Sequence, residues 1–136
     1  MASILKVDEL RGIASAGSIT VTSEGGAATQ SLQQGLAKAW AFFTQAYGGT
    51  QVLNGSFNIS SLTDSGVGET FFVPTNAFAD GNSNVISATI GSGENNRFVT
   101  FNLPRTTVIK IEVFRISDNS AQDAGEVSTT VHGDLA

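Results

Sequence analysis

The groups able to do chemistry in this chain are few and scattered. His132 is its single histidine. A serine and an acid beside it would make a triad, the imidazole taking the hydroxyl proton and the carboxylate orienting the ring. It ends a polar stretch from Glu126, however, and reads as an exposed or interfacial histidine on a strand. Asp64 and Glu69 flank a glycine turn. Two carboxylates across a glycosidic bond can hydrolyse it. Acids also stand beside glycine turns for a plainer reason, because Asp tolerates turn geometry and bonds its own backbone. Gly91-Ser92-Gly93-Glu94-Asn95-Asn96 is glycine-rich but lacks the lysine and following helix of a phosphate loop. Asp118-Asn119-Ser120-Ala121-Gln122-Asp123 is rich in oxygen ligands, at a spacing that is not the EF-hand's. Turns and surface loops account for all four. No catalytic residue, cofactor or metal site is assigned, and no enzymatic activity is expected.

The totals narrow the classes further. With no cysteine, disulfides, thiolate metal sites and cysteine nucleophiles are excluded. Seven basic residues against twelve acidic ones give a net charge of −5. No basic cluster exists, so no nucleic-acid partner is expected. The start, Met1 to Glu9, lacks the basic and apolar regions of a signal peptide. No apolar run is long enough for a bilayer, so synthesis in the cytoplasm without membrane insertion is expected. Hydrophobic residues make up 40% of the 136, enough for one domain with a core. Charged residues are only 14%, with Ser, Thr, Asn and Gly in their place. That composition fits a turn-rich β protein whose surface is partly covered by other chains.

The elements follow from alternation and turn residues. Residues 1–35 hold no aromatic residue and several glycines. Ile4, Leu5, Val7 and Leu10 are too apolar for a solvated tail, so this segment is expected to be an extended anchoring arm. It contains one short strand at Ser18–Thr22 and a possible helical turn at Ser31–Gln34. Residues 36–136 are expected to form the body. Ala37–Thr44 carries Trp40 and Phe42 on one face. Ser56–Val73 reads as a hairpin, with Phe57, Ile59 and Leu62 before the turn and Phe71 and Val73 after it. Asp64, Gly66 and Gly68 shape the turn, and Pro74 ends the second strand. Phe78 is tucked inward from a loop. Further strands are Val85–Ile90, Arg97–Leu103 with Phe101, Thr107–Arg115 and Glu126–His132. In Thr107–Arg115 the face with Ile109 and Ile111 is the core face. About seven short strands with no long helix argue for an all-β antiparallel sandwich, jelly-roll-like. Trp40, Phe42, Phe57, Ile59, Phe71, Phe101, Ile109 and Ile111 are the expected core or interface residues. With Trp40 and Phe57 as a buried pair, Phe57→Ala costs about 3–5 kcal/mol.

Lys38-Ala39-Trp40 with Phe42 soon after, then Ser56-Phe57-Asn58-Ile59-Ser60-Ser61-Leu62-Thr63-Asp64-Ser65-Gly66-Val67-Gly68, resembles a short β-rich module of tailed-phage virion proteins. The opening Ala2 to Asp8 also resembles the start of such proteins. The resemblance is good from Leu36 to Val73 and runs on to Val131 only as a strand pattern. It implies a virion structural protein, a homotrimer assembled in the host cytoplasm. Its arm would dock on other capsid or tail proteins. Its β domain would be a fibre or knob for attachment to a host-surface glycan or protein. A capsid decoration or cement protein that stabilises the head lattice fits the length equally.

Overall fold

Period-two alternation fixes most of the strands, because successive side chains in a strand point to opposite faces. A computed structural model describes residues 6–10, 19–22, 26, 28–45, 50–82, 84–91, 93, 95–102 and 106–136. The chain divides into two compact units, Met1–Leu36 and Ala37–Ala136. In the first, β1 (Thr20–Thr22) pairs antiparallel with β2 (Thr29–Ser31), and a single helical turn, α1 (Leu32–Gly35), follows. The amide of Leu32 donates to the carbonyl of Ile19, which ties the turn to the hairpin. This part of the expected extended arm is therefore folded back on itself. Val7 and Leu10 are exposed, whereas Ile4 and Leu5 lie outside the described residues.

The second unit is an all-β antiparallel sandwich of two four-stranded sheets. Its strands are β3 (Ala39–Thr44), β4 (Val52–Phe57), β5 (Ile59–Gly66), β6 (Glu69–Pro74), β7 (Val85–Ile90), β8 (Arg97–Asn102), β9 (Ile109–Arg115) and β10 (Val127–His132). One sheet has the order β4-β3-β10-β7 and the other β5-β6-β9-β8. The first and last strands of the unit are thus neighbours, with Ala39 opposite Val131 and Phe43 opposite Val127. Alternate residues face inward: Ala39, Ala41 and Phe43 from β3, Phe72 from β6, Ile109, Ile111 and Val113 from β9, Val127 and Val131 from β10. Phe78 closes the core from a loop and forms an isolated bridge with Leu135.

The expected first strand of the hairpin is in fact the end of one strand and the start of another. Ser56 and Phe57 belong to β4 in one sheet, whereas Ile59 opens β5 in the other. Asn58 makes the corner at φ +56°. Its side chain holds three segments together. Nδ2 donates to the carbonyls of Lys38 at 3.0 Å and Asn76 at 3.2 Å, and Oδ1 accepts the Asn76 amide at 2.7 Å. Asparagine is among the few residues that enter the left-handed region readily. Asn58→Ala is expected to cost about 2–3 kcal/mol, by strain and by the lost bonds. Asn58→Gly relieves only the strain, so it should melt above the alanine variant in thermal denaturation.

Both ends of β5 are irregular, with register shifts between Ile59 and Ser61 and between Asp64 and Gly66. It is an edge strand, and bulges of this kind keep an edge from pairing with another chain.

Candidate functional site

The groups with chemical potential are taken up by the fold rather than gathered. Asp64 Oδ1 accepts the Gly66 amide at 3.0 Å, an Asx turn leading into the tight Gly66–Gly68 connection. Glu69 turns the other way, to Lys110 at 2.8 Å. Asp118 caps its own loop. Its Oδ1 accepts the amide and hydroxyl of Ser120, and these bonds hold its carboxyl below the usual carboxylate range. Asp123 accepts the Gly68 amide at 2.7 Å instead. The oxygen-rich loop thus serves two separate backbone segments. Among the described residues, no group of three or more His, Asp or Glu side chains is placed to hold a metal ion. His132 ends β10 opposite Val85. In the glycine-rich loop Ser92 and Glu94 lie outside the described residues, and the Gly91 amide donates to the Glu126 carbonyl.

The outer faces of the two sheets are the surfaces left for function. On β5-β6-β9-β8, Lys110 stands between Glu69 and Glu112, at 2.8 Å from each, and its ammonium lies 5.9 Å from the centre of the Phe71 ring. Glu69 and Glu112 are direct cross-strand partners. The half-buried lysine is what lets two like charges sit opposite each other. Hydrogen bonds to Glu112 and Glu69 raise the Lys110 pKa above the ordinary lysine value of 10.5. The stability this gives is fully present below pH 10.5 and is lost as pH rises through the raised value. Lys110→Met should cost about 1 kcal/mol near neutral pH. Urea titrations of wild type and variant measure that cost. An open depression of about 600 Å³ adjoins this cluster, lined by Thr63, Phe71, Val73, Asn102, Val108 and Lys110.

The outer face of β4-β3-β10-β7 has no such charges. Two cross-strand rows form its centre, flanked by Thr44 and Val52 at one end and by His132 and Val85 at the other. One runs Phe57, Trp40, Thr130, Ser87; the other runs Gly55, Phe42, Ser128, Thr89. Trp40 is 41% exposed, Phe42 38% and Phe57 53%. These three are therefore not core residues, although Trp40 and Phe57 do face each other across the sheet. The reason is parity: Phe43, Ala41 and Ala39 point inward, so Trp40 and Phe42 must point outward. Gly55 leaves the space beneath the Trp40 ring, where an added Cβ would touch it at 3.5 Å. Phe101 has core-facing parity opposite Ile111 but is 49% exposed, because it lies near the end of the edge strand β8. Phe71 is half-buried on the outer face, while Ile59, Ile109 and Ile111 are in the core.

Gln45 and Lys38 have structural roles that no local pattern marks. Gln45 is buried and clamps the loop after β9 to the end of β3. Its amide and Oε1 pair with the carbonyl and amide of Ala124 at 3.0 and 2.9 Å. Its Nε2 donates to the Thr70 hydroxyl, which Gln51 also reaches. Lys38 is buried beside the Asn58 corner, and desolvation lowers its pKa against the opposing pull of Asp134. Partners fifty or more residues apart, such as Gly68 with Asp123, leave no mark on local pattern.

No protein-family model, curated protein or solved structure matches this chain.

Proposed function

We propose that this chain is a structural protein of a tailed-phage particle. In this reading it is a short surface knob, a homotrimer docked on capsid or tail proteins by residues 1–35, that presents its β-sandwich for attachment to the host surface. One observation carries the reading. The two halves of the phage-like pattern, seventeen positions apart at Trp40 and Phe57, are cross-strand partners, and Asn58 bonds the Lys38 carbonyl. The pattern that resembles virion modules is thus one structural unit, a corner joining both sheets, rather than two unrelated stretches. A protein built for assembly also has use for an outer face bearing three exposed aromatic rings and no ionisable group in its two central rows. That same face favours the second reading, a decoration protein packed laterally on the head lattice.

Quantitative mass spectrometry of purified particles tests both. A knob is expected at tens of copies per particle and a decoration protein at hundreds, roughly, since particle symmetry sets copy number. Absence from the particles would overturn the reading. A chain lacking residues 1–35 that still incorporates would remove the docking role of that segment.

A further inference from the structure

The sandwich has one charged outer face and one whose two central rows carry no ionisable side chain. Glu69, Lys110 and Glu112 mark the first. The second, on β4-β3-β10-β7, carries an aromatic ledge of Phe57, Trp40 and Phe42 beside a grid of four hydroxyls, Thr130, Ser87, Ser128 and Thr89. We propose that this second face is the contact between copies of the chain, with the ledge of one copy seated on the hydroxyl grid of another. The proposal deepens the reading of the chain as a self-assembling particle protein and names the surface and the partner.

Three features favour a second copy as the occupant. The chain carries a net charge of −5, so identical chains repel one another over much of their surface. The two rows of this face hold no ionisable side chain, and there like charges do not meet. Shape points the same way. Between Trp40 and Phe42 on one side and Ser87 and Thr89 on the other runs a shallow recess of about 250 Å³. A dry cavity of about 150 Å³ already admits benzene, so this recess has room for a large aromatic side chain. Projection and recess therefore occur side by side on one surface, so one copy can offer the ledge where another offers the grid. The chemistry also matches. The Trp40 indole N–H is a donor that needs an acceptor once covered, and the grid offers hydroxyl oxygens in two rows.

The area sets the strength. Four strands of six residues cover about 400 Å², half the ~800 Å² per partner of a standard interface. Association in solution should therefore be concentration-dependent in the micromolar range and be reinforced where many copies sit on one particle.

Sedimentation of the full chain across the micromolar range is the test. Wild type is expected to associate. Trp40→Ser combined with Phe42→Ser should raise the dissociation constant at least about tenfold, as loss of aromatic anchors does. Ser128→Arg should do the same from the grid side, by placing a cation where the ledge must sit. Both variants should melt within a few degrees of wild type, because the substituted side chains are exposed. Trp40→Phe, which keeps a ring, should retain association. Variants that associate as wild type does, at unchanged melting temperature, would overturn the proposal. So would a wild type that stays monomeric throughout. So would a monomer that binds immobilised neutral oligosaccharides through Trp40, since the face would then be a sugar platform. Detection in particles is a separate measurement, so the contact can stand or fall independently of the virion reading.

Discussion

Gly68→Ala is expected to destabilise the sandwich by at least about 3 kcal/mol, lowering its melting temperature by roughly 10 °C or more. Two effects combine. Gly68 has φ +73°, in the left-handed region where a Cβ costs about 1–2 kcal/mol. The added Cβ would also lie 2.5 Å from the Val113 carbonyl oxygen and 2.8 Å from the Gln122 amide nitrogen. Those are backbone atoms, so they cannot swing aside as a side chain would. The site is a junction: the Val113 amide donates to the Gly68 carbonyl, the Gln122 amide to the Val113 carbonyl, and the Gly68 amide to Asp123. Relieving the clash means opening the contact between the β5–β6 turn, β9 and the loop that follows it. Gly66→Ala is the control. Gly66 also has a positive φ, +139°, but nothing lies within 4 Å of its Cβ position. Its cost comes from backbone strain alone and should be about 1–3 kcal/mol. Equal costs for the two variants, measured by urea denaturation, would show that the Gly68 junction yields easily.

Phe72→Ala should cost about 3–5 kcal/mol, whereas Phe57→Ala should cost under about 1 kcal/mol. Phe72 is fully buried in β6 among the core residues, and its removal leaves a cavity that close-packed neighbours fill only in part. Phe57 is 53% exposed on the outer face. Its truncation removes a cross-strand contact with Trp40 and opens no cavity. The sequence-based expectation of a 3–5 kcal/mol loss at Phe57 rested on burial, and the fold moves that effect to Phe72. The comparison is best made at low protein concentration, since a Phe57 covered by a partner would add to apparent stability. A Phe57→Ala loss near that of Phe72→Ala in the monomer would mean the outer face packs against something within the chain.

The strands themselves were largely legible. Val85–Ile90 has the expected bounds, Ile109–Arg115 and Val127–His132 begin two residues and one residue later than expected, and Arg97–Asn102 agrees as far as it is described, Leu103 lying outside the described residues. Alternation of β-branched and polar side chains is a local signal, and burial on one face enforces it. In Ile109–Arg115 one parity is Ile, Ile, Val, and that parity is the core face. The inward position of Phe78 was legible too, from a large aromatic in an otherwise polar loop. The Asx turn at Asp64 follows equally from local chemistry, since the bond spans two residues.

Elsewhere the local signal was ambiguous. In Ala39-Trp40-Ala41-Phe42-Phe43 both parities carry an aromatic ring. Hydrophobicity favours burying Trp40 and Phe42. The fold buries Phe43 with two alanines, because β3 pairs with β10, whose inward residues Val127 and Val131 stand opposite Phe43 and Ala39. That pairing joins segments more than eighty residues apart. The corner at Asn58 was hidden similarly, since Phe57-Asn58-Ile59 keeps an apolar alternation straight through the break. The sequence determined the class of fold, the strands and the turn chemistry at Asp64, Gly66 and Gly68, because these depend on residues a few positions apart. The tertiary structure decided which aromatics face outward, that Gly68 meets Val113 and Gln122, and that one outer face is charged while the other has no ionisable side chain in its two central rows. Each of those depends on which strands become neighbours, and no local pattern records that.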